Sequence, residues 1–168
     1  MALALFDQLR EVHGLGDADR RILIAAALLH DIGKHVNVRR HHKHSQYLIL
    51  NAELTAFTEK ESGLIALVAR YHRRAEPMDK HRAYAKLEAP DRERIERLAA
   101  LLRIADALDH GPDRRIAKLT VAVDGKKLVI TPDRKSTPEV DDRALRRKGK
   151  LFERLFGLRV RLGGAEAT

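Results

Sequence analysis

Histidines and two aspartates are arranged along this sequence in a pattern that suits metal binding. Six of the nine histidines lie between His30 and His72. His30 and Asp31 end an apolar stretch, Ala-Ala-Ala-Leu-Leu, where an unpaired carboxylate would be costly to bury. Asp106 lies in a second apolar segment, and a buried carboxylate there needs a cation, several hydrogen-bond donors or a metal. For His30 and Asp31, the alternative to a metal site is a surface aspartate beside a core histidine. For Asp106, the alternative is a structural carboxylate that is paired with an arginine.

The other imidazoles that suit such a site lie in the run His-His-Lys-His-Ser over residues 41–45 and at His72. His44 is expected to face inward because it begins a helix with an apolar side, and His72 ends another apolar helix. There is no cysteine, so the donors are nitrogen and oxygen, a set that suits Mn, Mg, Fe or Zn. The predicted metal ligands are His30, Asp31, His44, His72 and Asp106. For the histidine run, a basic loop without ligands is the alternative.

Basic side chains near these residues suit phosphate. Lys34, His42, Arg70 and Arg73 are the predicted phosphate-binding residues, and Asp31 and Lys34 are the predicted catalytic residues. A metal ion lowers the pKa of water and polarises a phosphoryl oxygen, so the set predicts hydrolysis of a phosphate ester or anhydride. The formal net charge of +9 favours polyanionic partners, with a well-solvated basic surface as the alternative. Only 4% of the residues are aromatic and Trp is absent, which disfavours nucleic acid.

The elements that position these residues follow from the spacing of apolar side chains. Helical periodicity predicts helices over residues 1–12, 18–32, 45–51, 58–73, 90–110 and 137–156, with Gly33 ending the second helix and a basic loop over 34–43. Alternating apolar residues around Asp124 and Gly125 predict a hairpin over 119–130, and a last strand covers 158–162. The expected fold is mainly α: a helical domain over 1–112 and a small β-β-α-β appendage over 113–168. The first helix begins without a cap, which predicts a helix cut partway along.

Composition and patterning exclude several other classes of protein. No apolar run approaches the roughly 18 residues of a membrane span, and the N-terminus lacks the pattern of a signal peptide. Without cysteine, disulfides and thiolate zinc sites are excluded. The expectation is a cytoplasmic protein that does not engage a membrane.

Two segments, HDIGK at residues 30–34 and ADALD at residues 105–109, resemble the HD superfamily of metal-dependent phosphohydrolases. A closer resemblance is carried by HHKHSQYLI at 41–49, ARYHRR at 69–74 and LLRIADALD at 101–109. These segments are similar to the C-terminal HD-like domain of exopolyphosphatase and guanosine pentaphosphate phosphohydrolase proteins. The resemblance covers most of the chain, including the appendage. It implies an HD-domain helical bundle that binds a divalent metal ion and a phosphate-containing small molecule or polyphosphate.

The sequence departs from that family in two ways. The family's N-terminal actin-like module, in which its exopolyphosphatase chemistry resides, is not found here, so that activity is not carried over. The early histidine of the HD pattern would fall just before Met1, and His13 matches linker sequence better than the ligand position. The resemblance implies a metal-dependent phosphohydrolase acting on a nucleotide or another phosphate ester or anhydride. The alternative is a non-catalytic module that binds polyphosphate or a nucleotide, or that forms a homodimer.

Overall fold

The computed structural model describes residues 1–109, 118–133 and 141–163. In these ranges the α-helices are α1 (Ala2–Gln8), α2 (Arg10–His13), α3 (Asp17–Leu29), α4 (His41–Leu50), α5 (Glu59–Arg70), α6 (Arg82–Ala85), α7 (Ala89–Leu108) and α8 (Asp142–Phe156). The strands are β1 (Leu119–Asp124), β2 (Lys127–Pro132) and β3 (Arg159–Leu162). The prediction of a mainly α fold with a small C-terminal β part is confirmed. The predicted helix end at residue 110 and the predicted helix start at residue 137 lie outside the described residues.

The chain divides into two compact units. One is Leu15–Leu102, called here the helical unit, and the other is Met1–Gly14 with Arg103–Thr168, called here the sheet unit. The predicted domain boundary at residue 112 stays a prediction. In the part of the chain that the structure describes, no helix combines the length and the apolar character needed to span a membrane.

The helical unit is organised around α5, which packs against both α3 and α4. Six consecutive residues of α5, 64–69, are buried, as expected for a helix with neighbours on more than one face. At its start, Thr58 Oγ1 accepts from the Glu61 N–H at 3.2 Å, and Glu61 Oε2 accepts from the Thr58 N–H at 2.8 Å. This reciprocal pair satisfies two of the N–H groups that a helix start leaves without partners. The capping pair explains why α5 begins at Glu59.

Element boundaries differ from the sequence prediction around the histidine run. α3 ends at Leu29 rather than near residue 32, and a 3₁₀ turn follows over Ile32–His35. α4 begins at His41, four residues before the predicted start. The predicted basic loop over 34–43 is therefore wrong at both of its ends. The predicted first helix is also divided, because Leu9 leaves the helical conformation with φ −110° and ψ 18°.

A network of charged side chains around the buried Asp91 joins three helices of the helical unit. Arg94 Nε donates to Asp19 Oδ1 at 2.6 Å, and Arg94 Nη1 donates to Asp91 Oδ1 at 3.0 Å. Lys60 Nζ lies 2.7 Å from the other oxygen of Asp91. The hydrogen bond from Lys60, helped by Arg94, holds the pKa of the Asp91 carboxyl below its usual value although burial opposes this. Asp91 therefore stays ionised and ties α5 to α7.

Asp91→Asn is expected to lower the free energy of unfolding at pH 7 by about 1–3 kcal/mol, because the buried side chain loses the charge that pairs with Arg94 and Lys60. The folded-state pKa of Asp91 lies below its unfolded value of about 3.9. The contribution of Asp91 to the free energy of unfolding is therefore complete above the unfolded pKa, and it is lost as the pH falls through the folded-state pKa. Urea denaturation over a pH series measures both effects, and the variant should lose less stability than the wild type below about pH 4. An identical pH dependence in the two proteins would contradict this role.

The sheet unit contains the predicted β-β-α-β order. β1 and β2 are antiparallel, β3 is parallel to β2, and α8 packs on β3. Gly125 turns the hairpin with a φ of 55°, a left-handed conformation that glycine adopts without a steric penalty. Gly149 lets α8 approach the sheet, because a Cβ there would lie 2.8 Å from Val160 Cγ2. The predicted hairpin and the predicted last strand are both confirmed.

Candidate metal centre

Three side chains of the helical unit bring ligand atoms together. Asp31 precedes the 3₁₀ turn, His41 begins α4, and His72 lies just after α5. His41 Nε2 lies 3.1 Å from Asp31 Oδ1 and 3.2 Å from His72 Nε2, and His72 Nε2 lies 3.9 Å from the same Asp31 oxygen. Among the described residues, this is the one group of three or more histidine and acidic side chains whose atoms lie close enough to share a metal ion.

The backbone orients the imidazole rings around Asp31. In each ring, Nδ1 faces the carbonyl oxygen of the residue three positions earlier. These contacts join His30 to Ala27 at 2.7 Å, His41 to Val38 at 3.1 Å and His72 to Ala69 at 2.6 Å. Because a carbonyl oxygen only accepts, Nδ1 carries the proton, and Nε2 of a neutral ring keeps a lone pair for a cation. Histidines that bind metals in proteins are held in this manner.

The spacing of the ligand atoms fits a metal ion. Two imidazole lone pairs that face each other across 3.2 Å, beside a carboxylate, repel unless a proton or a metal ion lies between them. Metal–nitrogen bonds of about 2.0–2.1 Å in a tetrahedral site place neighbouring ligand atoms about 3.3 Å apart. Asp31, His41 and His72 therefore fit a divalent metal, and their nitrogen and oxygen donors suit one.

Asp31 is held in its ionised form. Burial raises the pKa of its carboxyl, but the hydrogen bond from Lys34 and the electrostatic effects of His30, Lys34 and His72 outweigh burial and bring the pKa below its usual value. Lys34 Nζ donates to Asp31 Oδ2, and His30 Nε2 lies 3.6 Å from the same oxygen. One carboxylate oxygen thus faces Lys34, and the other faces the pair of imidazoles.

His41 is held in its neutral form. Burial lowers the pKa of its ring, and the charges of Arg73 and Lys34 lower it further against the opposing effects of the Val38 carbonyl and Asp31. Arg73 Nη1 lies 3.2 Å and 3.4 Å from the two ring nitrogens. The neutral imidazole is the form that binds metal ions.

A close contact between the 3₁₀ turn and α4 sets the distance between Asp31 and His41. A Cβ on Gly33 would lie 2.3 Å from the His41 carbonyl oxygen and 2.4 Å from the Ser45 nitrogen. The buried Ser45 hydroxyl accepts from the Gly33 N–H at 3.0 Å and donates to the His30 carbonyl at 2.6 Å. Gly33 therefore permits close packing, and the prediction that it ends the helix is wrong, because α3 already ends at Leu29. The glycines with positive φ in the described ranges are Gly14, Gly125 and Gly157.

Ser45→Ala should loosen this contact. The variant leaves the Gly33 N–H and the His30 carbonyl without their partner, at an expected cost of about 1–3 kcal/mol in the free energy of unfolding. We also expect metal affinity to fall about tenfold, because Asp31 is no longer fixed against His41. Thermal denaturation and a cobalt titration measure the two effects. Ser62→Ala on α5 is the control and should change stability by less than about 0.5 kcal/mol. Unchanged stability and affinity in Ser45→Ala would argue against the role given to this hydroxyl.

The predicted metal ligands are distributed over both units. His30, Asp31 and His72 lie together in the helical unit, and the rings of His30 and His72 are 4.8 Å apart. His44 is half-buried in the same unit and is not part of the group of three. Asp106 belongs to the sheet unit, where its carboxylate is paired with Lys148. Metal binding by His44 and by Asp106 stays a prediction.

The predicted phosphate-binding residues lie on or near the same elements. Lys34 is bonded to Asp31, and Arg73 lies against His41. Arg70 Nη1 donates to Gln46 Oε1 at 3.0 Å, and His42 is buried in the first turn of α4. Phosphate binding by these four residues stays a prediction.

His41 is the residue that sequence reasoning missed. The prediction left it in a loop, where its side chain would have no fixed direction. Its actual place at the start of α4 puts it on one face with Ser45 and Ile49, and all three are buried. The spacing of four residues between them is the signal that could have extended the helix back to His41.

His13 does not belong to the candidate metal centre. It is the last residue of α2 and is completely buried in the sheet unit. Its Nε2 donates to the Phe6 carbonyl oxygen at 2.8 Å, and the two rings lie 4.3 Å apart. That His13 is not a metal ligand stays a prediction.

Comparison with known proteins identifies the family. Residues 1–138 match the family model described as Ppx/GppA phosphatase, domain III. A guanosine-5'-triphosphate,3'-diphosphate pyrophosphatase from Pseudoalteromonas atlantica is 31% identical over 108 residues, which are 62% of this chain and 22% of that protein. The protein of the same name from Pseudoalteromonas translucida is 40% identical over 52 residues, which are 31% of this chain and 10% of that protein. The chain thus matches a minor part of these longer relatives. Because the family match covers more than half of the chain and contains the whole candidate metal centre, this chain belongs to the Ppx/GppA phosphatase domain III family.

Proposed function

We propose that this chain is a metal-dependent phosphohydrolase of the HD type, with a metal ion held by Asp31, His41 and His72. One observation carries the proposal: the Nε2 atoms of two rings that the backbone orients face each other across 3.2 Å, beside a carboxylate. Such an arrangement is costly to keep buried without a cation. The ligand set suits Mn, Mg, Fe or Zn and does not choose among them.

The substrate class is proposed from the relatives and from the charge around the site. Both relatives are named as pyrophosphatases of guanosine 5'-triphosphate,3'-diphosphate. We therefore expect this chain to act on a nucleotide or on another phosphate ester or anhydride. Lys34, Arg70 and Arg73 supply cations that suit phosphate oxygens. The predictions of a cytoplasmic location and of a homodimer remain part of this proposal.

In this mechanism the chain positions the ligands and compensates charge. When bound, a divalent ion supplies Lewis acidity toward a phosphoryl group and lowers the pKa of water toward neutrality. Lys34 holds the Asp31 carboxylate in place through its hydrogen bond. The catalytic role that we propose for this pair is therefore to position a ligand of the metal ion. Arg73 keeps His41 neutral and, with Arg70, offsets the negative charge that develops on the phosphoryl oxygens.

Three more residues are proposed as additional ligands, as the sequence predicts. His30 is the nearest of them, with Nε2 3.6 Å from Asp31 Oδ2. Asp106 and His44 complete the set. Metal stoichiometry in single variants of these residues, compared with His41→Ala and His72→Ala, distinguishes true ligands from neighbours.

Elemental analysis and a phosphate-release assay test the proposal together. Gently purified protein should contain a stoichiometric divalent metal, and it should hydrolyse guanosine nucleotides or a chromogenic phosphate ester in the presence of Mn or Mg. Protein that holds no metal, even after dialysis against each candidate ion, would refute the metal centre. Protein that holds metal but releases no phosphate from any of these compounds would refute the enzymatic part.

A second candidate function is a non-catalytic module that binds polyphosphate or a nucleotide. Helix α8 favours this second function. Its exposed residues Arg143, Arg147 and Lys150 are spaced three to four positions apart, and this spacing aligns them on one face of the helix. Two other basic residues of α8 are paired, Arg146 with Asp142 and Lys148 with Asp106. Polyphosphate binding that weakens with salt and survives Asp31→Ala, with no turnover in either protein, would favour this module over the enzyme.

A further inference from the structure

Helix α4 begins with several basic residues and has no acidic residue in its first turn. Its N-cap residue, Arg40, makes no side-chain capping hydrogen bond, and the first turn contains no acidic residue. Helix geometry leaves the N–H groups of His41 and His42 without acceptors inside the helix, and the helix dipole adds partial positive charge at this end. Arg39, Arg40 and Lys43 are exposed in the same segment. Helix starts are usually stabilised by Ser, Thr, Asp or Asn at the cap position, so an anion is the missing partner here.

His42 provides a second and independent observation. The residue is 7% exposed, and its Nδ1 is buried without a hydrogen-bond partner. Side chains on a helix tilt toward its amino end, so this ring lies over the first turn of α4. Buried polar atoms without partners are rare in native proteins, and each needs an explanation such as an unseen ion.

Two guanidinium groups lie close to His42. His41 directly precedes His42, and Gln46 lies one helical turn after it on α4. Arg70 is bonded to the side-chain oxygen of Gln46 and Arg73 lies against His41, and within the described residues neither arginine is paired with a carboxylate. Both guanidinium groups therefore keep donors and charge for a ligand.

We propose that the amino end of α4, the His42 imidazole and the guanidinium groups of Arg70 and Arg73 form a binding site for one phosphate group. A tetrahedral phosphate presents several acceptor oxygens and two negative charges, so it can pair with both guanidinium groups and still accept from His42 Nδ1 and the helix N–H groups. This inference rests on the proposed function for the identity of the substrate. The rings of His41 and His42 are 6.3 Å apart, so a phosphate held here lies beside the metal centre.

Calorimetric titration of the full chain with inorganic phosphate, after removal of metal with EDTA, tests the site apart from the metal. The wild type should bind phosphate, and His42→Phe and Arg70→Gln should each weaken binding about tenfold or more, as expected for a lost hydrogen bond to a charged group. Arg82→Gln on α6 removes the same charge from an exposed position in the same unit and should change the affinity less than about twofold. Cobalt affinity of His42→Phe should equal that of the wild type.

The outcomes separate this site from the metal centre. Unchanged phosphate affinity in His42→Phe and Arg70→Gln would overturn the proposal. An equal loss of phosphate affinity in Arg82→Gln would also overturn it, because phosphate would then respond to the overall positive charge and not to this site. If His42→Phe does not fold, His42→Gln replaces it under the same criteria. Wild-type protein that binds phosphate but no metal would refute the proposed enzyme and support this site, and protein that binds metal but no phosphate would overturn this site alone.

Discussion

Asp31→Asn is expected to lower the affinity for divalent metal by at least about 100-fold and to abolish metal-dependent hydrolysis. The substitution keeps the size of the side chain and removes its charge, so His41 and His72 lose the anionic ligand that faces them at 3.1 and 3.9 Å. Replacing groups that only orient a ligand already costs about 10–100-fold, and loss of the ligand itself should cost more. Competition with a chromogenic chelator measures the affinity, and elemental analysis measures the stoichiometry.

Two other aspartates serve as controls for Asp31→Asn. Asp142 is paired with Arg146 on α8, and Asp142→Asn should leave metal affinity unchanged. Asp106→Asn tests the sequence prediction directly: a loss comparable to that of Asp31→Asn supports Asp106 as a ligand, whereas wild-type affinity confines the centre to the helical unit. An Asp31→Asn protein that binds metal as tightly as the wild type would remove the basis of the candidate centre.

Local signals allowed much of the fold to be predicted. The capping pair of Thr58 and Glu61 is complete within four residues of sequence, and the structure contains both of its hydrogen bonds. The hairpin around Gly125 likewise depends on a turn residue and on alternation in the two adjacent strands. In both cases, the interacting groups are close along the chain, so their spacing carries the information.

The candidate metal centre could be predicted only in part, because its geometry depends on contacts between elements. His41 and His72 are far apart in sequence, and their facing nitrogens require the packing of α4 on α5. Gly33 was predicted to end a helix because glycine commonly does so. Its role in the structure depends instead on the close approach between the 3₁₀ turn and α4, which the local sequence does not indicate. Asp106 was recognised as a carboxylate that needs a partner, but Lys148 lies 42 positions away, and nothing local singles it out.

Gly33→Ala is expected to destabilise the protein by about 3 kcal/mol, at the upper end of the usual cost of overpacking. The added methyl group would meet the His41 carbonyl oxygen at 2.3 Å and the Ser45 nitrogen at 2.4 Å. Both are backbone atoms of α4, so no flexible side chain can move aside, and the 3₁₀ turn must separate from the helix. The Ser45 hydrogen bond to the Gly33 N–H would stretch, and Asp31 would withdraw from His41. Metal affinity should therefore fall together with stability.

Gly63→Ala supplies the matched comparison, because the same change on α5 places a methyl group with nothing within 4 Å. Alanine is the better helix former, so this variant should gain about 0.5–1 kcal/mol and bind metal as the wild type does. Urea denaturation measures the free energy of unfolding of both variants, and metal titration measures their metal affinity. A methyl group cannot fit between two backbones that remain in contact. If Gly33→Ala nevertheless matched Gly63→Ala in stability and metal affinity, the close approach of the 3₁₀ turn to α4 would not be what fixes Asp31 against His41.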